Sequence, residues 1–153
     1  SRAPGAPERF AEALMATYLL GSPDGHARNY SVLLAGSRAV LAPLYDVASS
    51  WPYEIAGAGV MHQRKVALSI GGERTFGLVG ADRWQRFFTT NSLDPLWGFQ
   101  RLRILADRLP DALARAFGTV EGVPGADELR ARYVDSVARS CGQFLEQLDS
   151  AGR

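Results

Sequence analysis

The apolar positions of this chain fall into blocks of different period, and the blocks predict a mostly helical α+β fold. Over residues 7–20, Phe10, Leu14 and Tyr18 recur at four-residue steps, with Ala13 and Thr17 on the same side. That is one face of a helix. Pro7 suits its first turn, where a missing N–H costs nothing, and Gly21 is a natural stop. Two short apolar runs, 30–34 and 39–42, flank Ala35-Gly36-Ser37-Arg38 and predict a small β-hairpin. Residues 51–60, rich in glycine, alanine and aromatics, read as a loop. Residues 64–72 read as a strand or turn closed by Gly71 and Gly72.

The second half is helical in period. Trp84, Phe87 and Phe88 form the buried side of a short helix over about 82–91. Asp94-Pro95 is an N-cap followed by proline at the first helical position. Leu96, Phe99, Arg103, Ala106, Leu113 and Phe117 follow as a stripe that Pro110 should kink or divide and Gly118 should end. A last helix is expected over about 124–148, with Leu129, Tyr133, Val137, Cys141, Phe144 and Leu148 as its core stripe.

Composition narrows the function classes. The 153 residues are about one domain's worth and can bury a sizeable core. The net charge of +1 gives no global case for binding nucleic acid or a membrane surface. No apolar run reaches bilayer-spanning length and no signal peptide is visible. The single cysteine, Cys141, excludes an internal disulfide framework and fits a reducing, cytoplasmic setting. Its place on a core stripe makes it an inert thiol.

The candidate chemistry lies in Gly21-Ser22-Pro23-Asp24-Gly25-His26-Ala27-Arg28-Asn29 and in Leu41-Ala42-Pro43-Leu44-Tyr45-Asp46. Asp24 and Asn29 stand five residues apart, and a second acid follows at Asp46. This is the spacing of kinase-type phosphoryl-transfer sites, where the first aspartate takes a hydroxyl proton and the other two residues hold magnesium. A hairpin between Asn29 and Asp46 would return both to the same end, close enough to share one cation. His26 with His62 and one cysteine gives no recognised transition-metal spacing, and no Gly-x-Ser-x-Gly elbow is present.

The longer string, Gly-x-x-Asp-Gly-His-Ala-Arg-Asn followed by Leu-x-Pro-x-Tyr-Asp, closely resembles the catalytic and metal blocks of the HipA-like serine/threonine kinases, the toxins of bacterial toxin–antitoxin pairs. Lys65-Val66-Ala67-Leu68-Ser69-Ile70-Gly71-Gly72 resembles a further block of that family. The resemblance implies a protein-kinase-like C-terminal lobe whose small hairpin carries the metal site. Asp24 would be the catalytic base, and Asn29 and Asp46 the Mg²⁺ ligands. His26 and Arg28 could touch ATP phosphate, and Tyr45 either lines the nucleotide pocket or packs. Arg28 stands where lysine is common in the family, and Pro23 where threonine is. His62, Lys65 and Ser69 are either substrate contacts or parts of a docked strand. Residues 47–72 would correspond to the activation segment.

No glycine-rich phosphate loop precedes Asp24, and the sole lysine, Lys65, follows it. Residues 1–153 are therefore expected to be one lobe of a longer kinase, with the nucleotide lobe and any autophosphorylation site elsewhere and the lobe inactive alone. The resemblance also implies a HipB-like helix-turn-helix antitoxin as partner, a protein substrate such as an aminoacyl-tRNA synthetase, and contact with DNA only through the antitoxin complex. Two alternatives remain: a small-molecule phosphotransferase, against which Ser22 stands where such enzymes carry histidine, and a non-catalytic module binding antitoxin or DNA.

Overall fold

The structure, a computed structural model, describes residues 5–36, 38–53, 60–120 and 122–151. The element order is α1 (Ala6–Leu19), β1 (Val32–Ala35), β2 (Arg38–Leu41), α2 (Val60–Gln63), β3 (Lys65–Ile70), β4 (Glu73–Thr75), α3 (Ala81–Thr90), α4 (Pro95–Phe117) and α5 (Ala126–Ala151). Single 3₁₀ turns stand at Ala27–Asn29, Trp51–Tyr53, Phe76–Leu78 and Gly118–Val120. The result is a mostly helical α+β fold with, among the described residues, two separate two-stranded antiparallel sheets. Most of the loop expected over 51–60 lies outside the described residues.

Helix α1 buries Ala13, Leu14, Thr17 and Tyr18 of its expected face, and Ala11, Met15 and Leu19 beside them, which the period did not mark. Phe10 instead stays half-buried, its ring 4.9 Å from that of Tyr30. The helix ends because Gly21 turns left-handed at φ 68°, a conformation open to glycine at little cost. Tyr18 anchors the helix to the rest of the core. Its hydroxyl donates to the carbonyls of Val79 and Phe76, at 3.1 and 3.3 Å, and its ring stacks on Phe76. Trp84, fully buried, stands edge-on to Tyr18 and against Phe87 and Phe88.

The first hairpin pairs Val32 with Leu41 through Ala35 with Arg38. The second pairs Lys65 with Thr75 and Ile70 with Glu73, with an irregular register between. Strand β4 was not visible in the hydrophobic pattern, because three residues carry no period. Gly71 and Gly72 form its turn, both at positive φ.

Helix α4 departs from its expected stripe. Asp94 caps it, accepting from the Leu96 N–H at 2.9 Å. Leu96 is 67% exposed, whereas Gly98, Leu102 and Ala106 are buried. The phase is set by Gly98, where an added Cβ would lie 2.5 Å from the Phe88 ring. The helix runs through Pro110 undivided. Leu109 and Leu113 pack on the core either side of it, which offsets the roughly 3 kcal/mol that an interior proline costs. Helix α5 lies along α4 and buries Val137, Cys141, Phe144 and Leu148, whereas Leu129, near its start, is exposed. Burial pushes the Cys141 thiol up to about 12, so it stays protonated and unreactive at neutral pH.

Candidate active site

The loop after α1 is pinned at several points. Ser22 N–H donates back to the Thr17 carbonyl at 3.0 Å, and Ser50 N–H to the Gly21 carbonyl at 2.9 Å. Ala67 N–H donates to the Pro23 carbonyl at 2.9 Å, which ties the loop to β3. Position 21 must be glycine for a second reason: a Cβ there would fall 2.2 Å from the indole nitrogen of Trp51. The chain then turns tightly, His26 N–H donating to the Asp24 carbonyl at 2.7 Å. This leaves the Asp24 side chain exposed on a backbone held from both sides.

The 3₁₀ turn at Ala27–Asn29 carries Asn29 into the interior, where it is only 6% exposed. Across the base of the first hairpin, its side-chain amide donates to the Asp46 carboxylate at 3.2 Å and to the Asp46 carbonyl at 3.3 Å. Asp46 holds φ 56°, a left-handed conformation that costs a non-glycine residue of order 1–2 kcal/mol. The two amide bonds hold it there.

Tyr45 is a strap. Its hydroxyl donates to the Arg28 carbonyl at 2.6 Å and lies 2.7 Å from Ser31 Oγ, so residues 28–31 and 45 are bound side by side. The far end of the Asp46 segment is equally fixed. Ser49 Oγ donates to the Leu20 carbonyl at 2.7 Å, Trp51 is buried, and the Arg132 guanidinium donates twice to the Pro52 carbonyl, at 2.6 and 3.0 Å.

Asn29 and Asp46 are thus brought into contact and share a small cavity with Thr17, Ser22, Tyr30 and Tyr45. Asp24 sits on the same loop, between the wall residues Ser22 and Gly25, but is not itself part of the wall. His26 is half-buried, with Nδ1 enclosed and without a partner among the described residues. The Arg28 side chain is exposed. Of the more distant candidates, the His62 ring faces Trp51 and Phe76, Lys65 donates to Thr75 Oγ1 at 2.7 Å, and Ser69 is exposed.

The donors at the cavity are oxygens. Asn29 Oδ1 is buried and without a partner among the described residues, and the Asp46 carboxylate lies beside the other end of the same amide. The two oxygens suit a hard cation such as Mg²⁺ in kind, but the amide faces Asp46 with its NH₂, so a shared cation would require Asn29 to turn its oxygen to that side. Among the described residues no group of three or more histidine, cysteine or acidic side chains is placed to hold a metal. No helix among them is long and apolar enough to cross a membrane.

Sequence reasoning missed the second layer: Thr17, Ser31, Ser49, Trp51 and Arg132. Their role lies in hydrogen bonds and contacts across 13 to 80 residues of chain, which no local pattern encodes.

Comparison with known proteins bears on the family and the fold. A Sinorhizobium fredii protein named "Putative kinase Y4mE" is 26% identical over 130 residues, covering 85% of this chain and 30% of its own length. HipA from Shewanella oneidensis MR-1, solved in complex with HipB and its operator DNA, superposes with a TM-score of 0.77 at 22% identity, over 92% of this chain and 32% of the other. The chain thus spans about a third of the length of these relatives. The family model described as the HipA-like C-terminal domain matches residues 2–117. The chain belongs to the HipA-like C-terminal domain family.

Proposed function

We propose that this chain is the catalytic C-terminal lobe of a HipA-like serine/threonine protein kinase, the toxin of a toxin–antitoxin pair. The observation that carries the reading is the pairing of Asn29 with Asp46 at the base of the hairpin, one turn of loop from an exposed Asp24. In this reading the Asp24 carboxylate orients a serine or threonine hydroxyl and accepts its proton. Its exposure gives a protein substrate access, and the pinned loop fixes its position. Asn29 and Asp46 supply amide and carboxylate oxygens to Mg²⁺. When bound, the cation would neutralise charge on the ATP phosphate oxygens. His26 and Arg28 stand on the same loop as candidate phosphate contacts.

These residues contain no glycine-rich phosphate loop and no lysine before Asp24. The nucleotide-clamping lobe is therefore assigned to another part of the protein, consistent with relatives about three times as long. A HipB-like antitoxin is the proposed partner, with DNA reached through it, since the Shewanella homologue is solved in such a complex. An aminoacyl-tRNA synthetase is the proposed substrate class.

The test is transfer of labelled γ-phosphate from ATP by the complete protein, with the acceptor residue identified. Label on serine or threonine, lost with Asp24→Asn, supports the reading. Label on a small molecule, or undiminished label in the variant, would overturn it. Residues 1–153 alone should transfer none.

A further inference from the structure

We propose that Ser22 is a positioning residue for Asn29, acting through a single water held in the cavity between them. The cavity has a volume of about 10 Å³, which is the room one water needs. Its wall includes three polar residues more than nine-tenths buried, Ser22 at 4% exposure, Thr17 at 5% and Asn29 at 6%. Ser22 Oγ and Asn29 Oδ1 are both enclosed and without partners among the described residues.

The other hydroxyls at this wall are already committed. Thr17 donates to the Ala13 carbonyl at 2.8 Å, Tyr30 to Thr17 Oγ1 at 3.4 Å, and Tyr45 to the Arg28 carbonyl at 2.6 Å. Burial raises the Tyr30 pKa, which keeps that phenol a donor. Ser22 is the hydroxyl left over. A water accepting from Ser22 and donating to Asn29 Oδ1 meets both groups at once, where an unmet buried acceptor would cost about 1–3 kcal/mol.

The consequence concerns the amide's orientation. One end of Asn29 is fixed on Asp46, and the water fixes the other. If Asn29 is to ligate a cation beside Asp46, the amide must present its oxygen there and turn its NH₂ into the cavity. A serine hydroxyl and a water both accept as readily as they donate, so the same pair serves either orientation. Alanine at position 22 removes that partner. Only this consequence rests on the metal reading; the water and the Ser22 contact do not.

The experiment has two arms on the complete protein. A high-resolution crystal structure should show one ordered water within hydrogen-bonding distance of Ser22 Oγ and Asn29. Mn²⁺ binding, followed by water-proton relaxation, should weaken about tenfold in Ser22→Ala. The Asn29 side-chain amide resonances should shift in the same variant. A purely structural role would lower Tm without moving either readout. The proposal is overturned if the wild-type cavity is dry with Ser22 bonded to a backbone carbonyl. It is equally overturned if Ser22→Ala leaves the Asn29 resonances in place. Absence of Mn²⁺ binding by wild type would count against the metal reading alone, and the crystal structure and amide resonances would then decide this one.

Discussion

Asn29 and Asp46, 17 residues apart, are joined by two hydrogen bonds from one amide, to the carboxylate at 3.2 Å and to the backbone carbonyl at 3.3 Å. The hairpin between them makes this possible. Its register places Val32 opposite Leu41, and Ala42 N–H continues the ladder to the Ser31 carbonyl at 2.8 Å, so the two arms leave the sheet side by side. The left-handed backbone at Asp46 then turns its carboxylate toward Asn29.

The mount beneath this pair depends on Gly21. Alanine there would bring a Cβ to 2.2 Å from the Trp51 indole, on a backbone at φ 68°. Gly21→Ala should destabilise the fold by about 2–4 kcal/mol, combining a left-handed penalty with overpacking. Urea unfolding followed by tryptophan fluorescence measures it. A loss below about 0.5 kcal/mol would show that Trp51 moves aside freely.

Arg132 makes two kinds of contact that should separate on mutation. Its guanidinium holds the Pro52 carbonyl from the partly buried side, and it also pairs with Glu128 at 3.1 Å on the surface. Arg132→Ala should cost about 1.5–3 kcal/mol, the range for hydrogen bonds to a charged group. Glu128→Ala, removing only the exposed pair, should cost about 0.5 kcal/mol or less. Equal costs for the two variants would place the energy in the ion pair instead.

Cys141 carries a pH dependence of defined sign. Its thiol pKa rises from 9.0 to about 12 through burial. Below pH 9 both folded and unfolded thiols are protonated, and this group has no effect on the balance. Between pH 9 and about 12 the unfolded chain loses the proton and the folded one keeps it, so stability falls as pH rises. Cys141→Ala should flatten that part of the stability–pH curve. In native protein at pH 8 the thiol should resist a thiol-specific reagent that labels the unfolded chain at once. Rapid native labelling would contradict the burial.

The sequence carried the helices and the first hairpin well, because strong periods and turn residues encode them locally. Gly21, Asp94 and the Trp84, Phe87 and Phe88 face all stand where the pattern put them. Its limits show at Leu96 and Pro110. Leu96 fits the apolar period but is exposed, because the fit of Gly98 under Phe88 sets the rotation of α4. Pro110 is a strong local breaker that tertiary packing overrides. At the candidate site, spacing together with the family resemblance singles out Asp24, Asn29 and Asp46, and the structure brings Asn29 and Asp46 into contact. The bonds that hold them, from Tyr45 to Arg28 and from Arg132 to Pro52, arise only once the chain is folded.

The central claim is a division of labour between Asp24 and Asp46, and it is tested most directly by equilibrium binding of Mg–ATP alongside phosphoryl transfer in the complete protein. In the proposed reading Asp24 would act on the hydroxyl proton, so Asp24→Asn should slow transfer by about 10²–10⁴-fold while leaving Mg–ATP affinity within about twofold. In the same reading Asp46 would act through the cation, so Asp46→Asn should weaken Mg–ATP binding by about tenfold or more as well as abolish transfer. Equal, large losses of Mg–ATP binding in both variants, or unchanged transfer in either, would contradict the account.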